Sequence, residues 1–194
     1  MRALFIIGSP CKTGSCSTIS NLLAIEFEKR KVETKKIYLT DYNIQFCLGC
    51  RTCFKTGVCA QTDDMDKIID NMISSDIIII SSPSYWGDVT AQLKQFIDRC
   101  TPLSNTNVNS KRLLRLKYGV SIAVRAGKSV EEAKKLVNTI EHFYSHLEIN
   151  PIDSIILTSI ETREDLEKRA NLNEMLDKIV SHVCVEVMKE KTDI

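Results

Sequence analysis

Ala3-Leu4-Phe5-Ile6-Ile7-Gly8-Ser9-Pro10-Cys11-Lys12-Thr13-Gly14-Ser15-Cys16-Ser17-Thr18-Ile19 decides the fold. Its first five residues are apolar without alternation, as in a strand buried on both faces of a parallel sheet. Gly8 and Pro10 end that strand. Ile19, Leu22, Leu23 and Phe27 then recur at helical spacing, so a helix is expected over Ser17–Arg30. Strand, tight loop and helix in this order open a βαβ unit.

Outward from this unit the pattern repeats. Ile77–Ile80, Val120–Val124 and Ile152–Leu157 are further short apolar runs, and Thr34–Leu39 is a mixed strand suited to a sheet edge. Helices are expected after Asp63-Asp64, with Met65, Ile68, Ile69 and Met72 on one face, and over Ala91–Arg99, Ser129–Leu147 and Arg163–Val187. Ser129 with Glu132 matches a capping box. Five strands alternating with helices define an α/β class: a doubly wound five-stranded parallel sheet, order 2-1-3-4-5, with helices on both faces.

The 194 residues are expected to form a single domain, 1–194. Two stretches interrupt its rhythm: a cysteine-bearing loop at 40–62, and the polar loop Thr101–Lys111 with Asn105, Asn107 and Asn109. A net charge of +1 without basic blocks argues against nucleic acid as a partner. The apolar N-terminal run is too short for a signal peptide and no stretch is long enough to cross a bilayer, so a cytoplasmic protein with no membrane partner is expected. Disulfides rarely persist in that compartment. Eight cysteines, four of them between Cys47 and Cys59, therefore ask for a metal or redox explanation.

In an open α/β sheet, ligands bind outside the carboxyl ends of the strands. The first such loop, Ser9 to Ser17, is rich in hydroxyls and leads into a helix N-terminus, where N–H groups and the helix dipole favour an anion. A Walker A loop requires Lys after its second glycine, whereas Gly14 precedes Ser15. A dinucleotide fingerprint requires three glycines, and this loop, counted from Gly8, has two. A terminal monophosphate such as that of FMN suits it; a simply capped helix start is the plainer alternative.

The third strand runs into Ser81-Ser82-Pro83-Ser84-Tyr85-Trp86-Gly87-Asp88, which carries the only tryptophan. Tyr85 and Trp86 offer a flat apolar wall for an isoalloxazine ring, and Pro83 and Gly87 permit close backbone approach. Aromatic packing over the sheet edge is the alternative. Cys47, Cys50, Cys53 and Cys59 form C-x2-C-x2-C-x5-C, with Gly49 and Gly57 providing turns. So compact a set of thiolates suits an iron–sulfur cluster better than zinc, which favours two separated knuckles. Zinc, redox-active thiols and a motif without metal stand as rivals. Cys11, Cys100 and Cys184 read as small buried residues, Cys16 as a sensitive thiol at a helix N-terminus, and His142, His146 and His182 as surface residues.

These motifs resemble the NADPH-dependent FMN reductase family, and within it the iron–sulfur flavoprotein branch. The likeness runs residue by residue through about the first half of the chain and only in element order thereafter. It implies a flavodoxin-like fold and FMN as cofactor. Ser9, Lys12, Ser15, Cys16 and Ser17 would hold the phosphate, and Pro83, Ser84, Tyr85, Trp86 and Gly87 would flank the ring. Arg125, Ala126 and Gly127 would make a third contact loop. It further implies a [4Fe–4S] cluster on Cys47, Cys50, Cys53 and Cys59, NAD(P)H as co-substrate, an unidentified electron acceptor, and a homo-oligomer (dimer or tetramer). Cys11 stands where relatives often carry Arg, and Ser15-Cys16 where they often carry Asn-Thr, which leaves Lys12 as the loop's cation. The expected function is an FMN-dependent oxidoreductase passing electrons from NAD(P)H through FMN, with no side chain as catalytic acid or base. The rivals are an FMN-binding electron carrier reduced by a partner protein, and a cysteine-based redox or metal sensor.

Overall fold

A computed structural model describes residues 1–110, 113 and 116–192, the side chains of 190–192 excepted; Lys111, the expected end of the polar loop, lies outside the described residues. The chain runs β1 (Arg2–Ile7), α1 (Ser15–Lys29), β2 (Glu33–Tyr38), α2 (Thr52–Thr56), α3 (Met65–Ser74), β3 (Ile77–Pro83) and α4 (Ala91–Arg99). It continues through β4 (Lys117–Val124), α5 (Val130–His146), β5 (Ile149–Leu157), α6 (Arg163–Glu167) and α7 (Leu172–Thr192). All five strands are parallel, in the order β2-β1-β3-β4-β5, as expected.

The apolar runs Ala3–Ile7 of β1 and Ile77–Ile80 of β3 are unbroken because each strand serves two cores. Ala3 and Phe5 of β1 and Ile77 and Ile79 of β3 face α1 and α7, whereas Leu4, Ile6, Ile78 and Ile80 face α3, α4 and α5. Alternate residues point to opposite faces, so a strand covered on both sides has no solvent-facing side for polar residues. The mixed strand β2 lies at one edge, as its composition implied. The other edge, β5, begins at Ile149 and takes in Pro151, which an edge position tolerates. Gly119 on β4 is required by Tyr144: a Cβ there would lie 2.6 Å from the ring.

Three local expectations are corrected. The helix expected over Arg163–Val187 is two helices: α6 ends at Glu167, and Asn171, in a left-handed conformation at φ 61°, turns the chain into α7. The Ser129–Glu132 capping box is half formed: Ser129 Oγ accepts from the Glu132 N–H, but the Glu132 carboxylate pairs with Arg125. Cys11 is exposed at the turn of its loop beside Thr13, while Cys100 and Cys184 are buried as expected.

Candidate functional site

The loops after β1, β3 and β4 are tied together at the carboxyl ends of their strands. The Gly8 N–H donates to Ser81 O at 2.8 Å, and Thr90 Oγ1 donates to Gly8 O at 2.6 Å. The Ser84 N–H donates to Val124 O at 2.8 Å. A side chain on Gly8 would meet Leu93 at 2.8 Å, so only glycine lets β1 turn here against α4.

Within the first loop the hydroxyls are not free. Ser17 Oγ donates to Cys11 O at 3.1 Å, Ser9 Oγ accepts from the Cys11 N–H at 3.2 Å, and Ser15 Oγ donates to Thr162 O at 3.0 Å. Their role is to shape the loop. What the loop offers an anion is backbone: α1 starts after Gly14 with no side-chain cap and no acidic residue in its first turn. The first N–H groups of a helix have no intrahelical acceptor, so an uncapped start leaves donors suited to an anion. Cys16 sits in this turn with its thiol in the core, and burial pushes that thiol's pKa well up; the expected sensitive thiol is corrected to an inert one. Lys12 pairs with Asp41 and lies 5.7 Å from the Tyr38 ring centroid.

In the second loop, Tyr85 and Asp88 form an antiparallel bridge around Trp86 (φ 55°) and Gly87 (φ 77°), a two-residue turn with both central residues left-handed. This turn holds Trp86 fully exposed and Tyr85 half-exposed. A tryptophan that packs on nothing is the less expected outcome for so large an apolar surface. The alternative of packing over the sheet edge does not apply to it. In the third loop, Arg125 Nη1 donates to Ser84 Oγ at 3.3 Å and the guanidinium also pairs with Glu132. Its Nε is buried without a hydrogen-bond partner. A Cβ on Gly127 would come within 2.9 Å of that guanidinium, so Gly127 lets Arg125 fold back over its own loop, past Ala126. An uncapped helix start, an exposed aromatic and a buried unpaired guanidinium N–H fit the phosphate and ring of a flavin mononucleotide.

The four-cysteine segment lies elsewhere, against the C-terminal end of α4. Cys47, Cys50, Cys53 and Cys59 all line one small cavity of about 30 Å³, together with Arg99. All four are free thiols, Cys47 and Cys50 exposed and Cys53 and Cys59 half-buried. Gly49 (φ 63°) and Gly57 (φ 74°) make the expected turns, and Arg51 (φ 56°) adds a third, unexpected one. The Thr52 hydroxyl holds the Cys50 thiol below its ordinary value, whereas burial raises that of Cys53. Among the described residues, no group of three or more His, Cys, Asp or Glu side chains converges on a point that could hold a metal ion. The thiols line a wall instead of meeting. Four soft donors around one cavity fit ligation of a cluster.

Sequence reasoning missed what supports this segment. Asn107 Nδ2 donates to Cys53 O at 3.1 Å and Asn109 Nδ2 to Phe54 O at 2.6 Å, so the second polar loop clamps the first. Beneath it, Arg99 pairs with Asp63 at 2.5 and 3.1 Å. The only sequence signal was an arginine at i+3 from Phe96, on the apolar face of α4. A separate cavity of about 670 Å³ opens between α4 and α5, lined by Ile97, Phe143 and Leu147 and by His142 and His146, whose Nε2 atoms are 3.2 Å apart.

The fold defines a flavodoxin-like protein whose loops after β1, β3 and β4 are joined at the carboxyl ends of their strands. The chain belongs to the NADPH-dependent FMN reductase family, whose model matches residues 1–160. It is 40% identical over 127 residues to an iron-sulfur flavoprotein of Archaeoglobus fulgidus, covering 66% of this chain and 56% of that protein. An iron-sulfur flavoprotein of Methanocaldococcus jannaschii is 32% identical over 154 residues, covering 78% of this chain and 75% of that one. The aligned region is thus little more than half of the first relative's length. Among solved structures, an FMN-dependent NADH-azoreductase from Bacillus anthracis in complex with FMN superposes with a TM-score of 0.70 at 11% identity, covering 94% of this chain and 99% of that one. That last likeness is one of fold. No helix among the described residues is long and apolar enough to cross a membrane.

Proposed function

We propose that this protein is an FMN-dependent oxidoreductase that takes electrons from NAD(P)H and passes them to an acceptor, with a [4Fe–4S] cluster on Cys47, Cys50, Cys53 and Cys59 as the relay. The observation that carries the flavin part is the uncapped start of α1 facing the same strand ends as the Arg125–Ser84 bridge. Family membership supports it. The iron-sulfur flavoprotein names of the relatives support the cluster.

FMN, when bound, supplies a ring that accepts two electrons and releases them singly, and a cluster supplies one-electron transfer. The chain's own residues bind and orient. The N–H groups of Ser15, Cys16 and Ser17 would hold the phosphate, with Ser9 and Ser17 hydroxyls keeping the loop open around it. Lys12 would add charge once released from Asp41. Pro83, Ser84, Tyr85, Trp86 and Gly87 would wall the ring and exclude water from one side. Arg125, with Ala126 and Gly127, would donate through its unpaired Nε–H to a polar edge. No side chain acts as acid or base. The functional unit would be the chain 1–194 as one domain, assembled as a homo-oligomer in the cytoplasm.

Purified protein with FMN, assayed anaerobically for NADPH and NADH oxidation, tests the reading. Turnover with bound flavin is expected, and protein that refuses FMN would sink it. A second reading, an FMN-binding carrier reduced by a partner protein, draws support from the exposed Phe46 and Leu48 beside Cys47. Flavin binding without nicotinamide oxidation would favour it.

A further inference from the structure

Arg99 is on the wrong kind of face for an arginine. With Leu93 and Phe96 it forms the buried stripe of α4, and its side chain is 1% exposed. A buried charge costs more to place there than an apolar side chain of similar size, so its presence calls for something that needs it. Asp63, 2% exposed, pairs with it through both oxygens, and Gln45 O accepts from Nη1 at 2.7 Å. Those contacts use the Nη groups. The Nε–H, equally buried, has no hydrogen-bond partner. The cavity that Arg99 lines is the one lined by Cys47, Cys50, Cys53 and Cys59. Arg51, the other arginine on that cavity, is solvent-exposed.

A tie between α4 and the segment before α3 would be complete with the Nη–Asp63 pair alone. The buried, unpaired donor at a thiol-lined wall is what such a tie leaves unexplained. Hydrogen bonds to sulfur and nearby positive charge are the protein's means of making a thiolate-bound cluster easier to reduce. Asp63 keeps the guanidinium plane fixed, so the donor does not have to be ordered when the site is filled.

We propose that Arg99 is a positioning residue of the four-cysteine site, presenting a fixed positive charge and an Nε–H donor to the sulfurs of the [4Fe–4S] cluster. The proposal rests on the cluster reading above.

Two variants of the full chain test it: Arg99→Lys, which keeps a charge but loses the Nε donor, and the double variant Asp63→Asn/Arg99→Gln, which leaves no orphan charge. Wild type and variants are reconstituted anaerobically with iron and sulfide. Iron content and the cluster's midpoint potential, followed by visible absorbance in a redox titration, are then read. The double variant is expected to favour the oxidised cluster by at least ten-fold relative to wild type, about 59 mV more negative for a one-electron couple, with Arg99→Lys between. Unchanged potentials at wild-type iron content would overturn the proposal and leave Arg99 as a structural tie. If the double variant takes up no iron, Arg99→Lys decides alone: a lowered potential supports the proposal and an unchanged one overturns it. Wild-type protein that takes up no iron overturns the cluster reading itself, an outcome distinguishable from the others.

Discussion

Arg125 Nη1 lies 3.3 Å from Ser84 Oγ, so one side chain joins the loop after β4 to the loop after β3. The contact exists because Gly127 leaves room: any Cβ there would meet the guanidinium at 2.9 Å. Gly127→Ala should therefore displace Arg125 and weaken FMN binding about ten-fold, roughly the 1.4 kcal/mol of one charge-assisted hydrogen bond. Flavin-fluorescence titration measures this; affinity equal to wild type would remove Arg125 from the site.

Trp86 contributes no packing to the fold, being fully exposed on its two-residue turn. Trp86→Ala should leave the urea midpoint unchanged within about 0.5 kcal/mol. The same variant should weaken FMN binding by roughly 2- to 10-fold, the range of about 0.5–1.5 kcal/mol for an aromatic contact. A loss of stability without a loss of affinity would assign Trp86 to folding instead.

The Asp63–Arg99 pair makes stability depend on acid. Burial works to raise the Asp63 carboxyl, but the Arg99 guanidinium and the N–H groups of Gln45 and Met65 outweigh it and hold it below 3.8. A carboxylate depressed in the folded state contributes stability that is fully present above its unfolded value and lost as pH falls through the folded one. Unfolding free energy should thus decline from about pH 5 downward. Breaking the pair with Arg99→Met should cost about 3–5 kcal/mol at neutral pH, more than the double variant Asp63→Asn/Arg99→Met. Urea denaturation across pH 3–7 gives both values.

The asparagine clamp should set the order of the cysteine segment. Asn107 is buried, and its amide donates to Cys53 O and Pro102 O. Asn107→Ala removes both bonds at a cost of about 1–3 kcal/mol. Amide exchange should accelerate in Thr52–Thr56 while β1 and β3 keep their protection. Equal acceleration throughout would mean that the clamp supports the whole fold.

Thiol reactivity should divide by burial. Cys11 is exposed and should alkylate in native protein within minutes, as should Cys47 and Cys50 once the protein is free of cluster, whereas Cys16, Cys100 and Cys184 should react only on unfolding. Burial raises the pKa of the Cys16 and Cys100 thiols, which reduces their thiolate fraction further. Peptide mapping after brief alkylation distinguishes the two sets.

The sheet and its order were legible in the sequence, because strands covered on both faces are apolar without alternation, as in Ala3–Ile7 and Ile77–Ile80. Local turns were legible too: those at Gly49 and Gly57 follow from backbone freedom that one residue carries by itself. The break between α6 and α7 was not, since residues 168–171 contain neither proline nor glycine to mark it.

What tertiary structure alone decided is which side chains meet. The Ser9 and Ser17 hydroxyls bond within their own loop, which leaves the start of α1 without a side-chain cap. Glu132 leaves its capping box for Arg125, and Arg99 reaches Asp63 across 36 residues and faces the four cysteines. Such partnerships depend on separations in space between residues distant in the chain, which composition and periodicity do not encode. The sequence by itself determined a doubly wound sheet with a hydroxyl-rich first loop and a compact set of thiols. The packing of α4 and the third loop decided which charges would stand beside them.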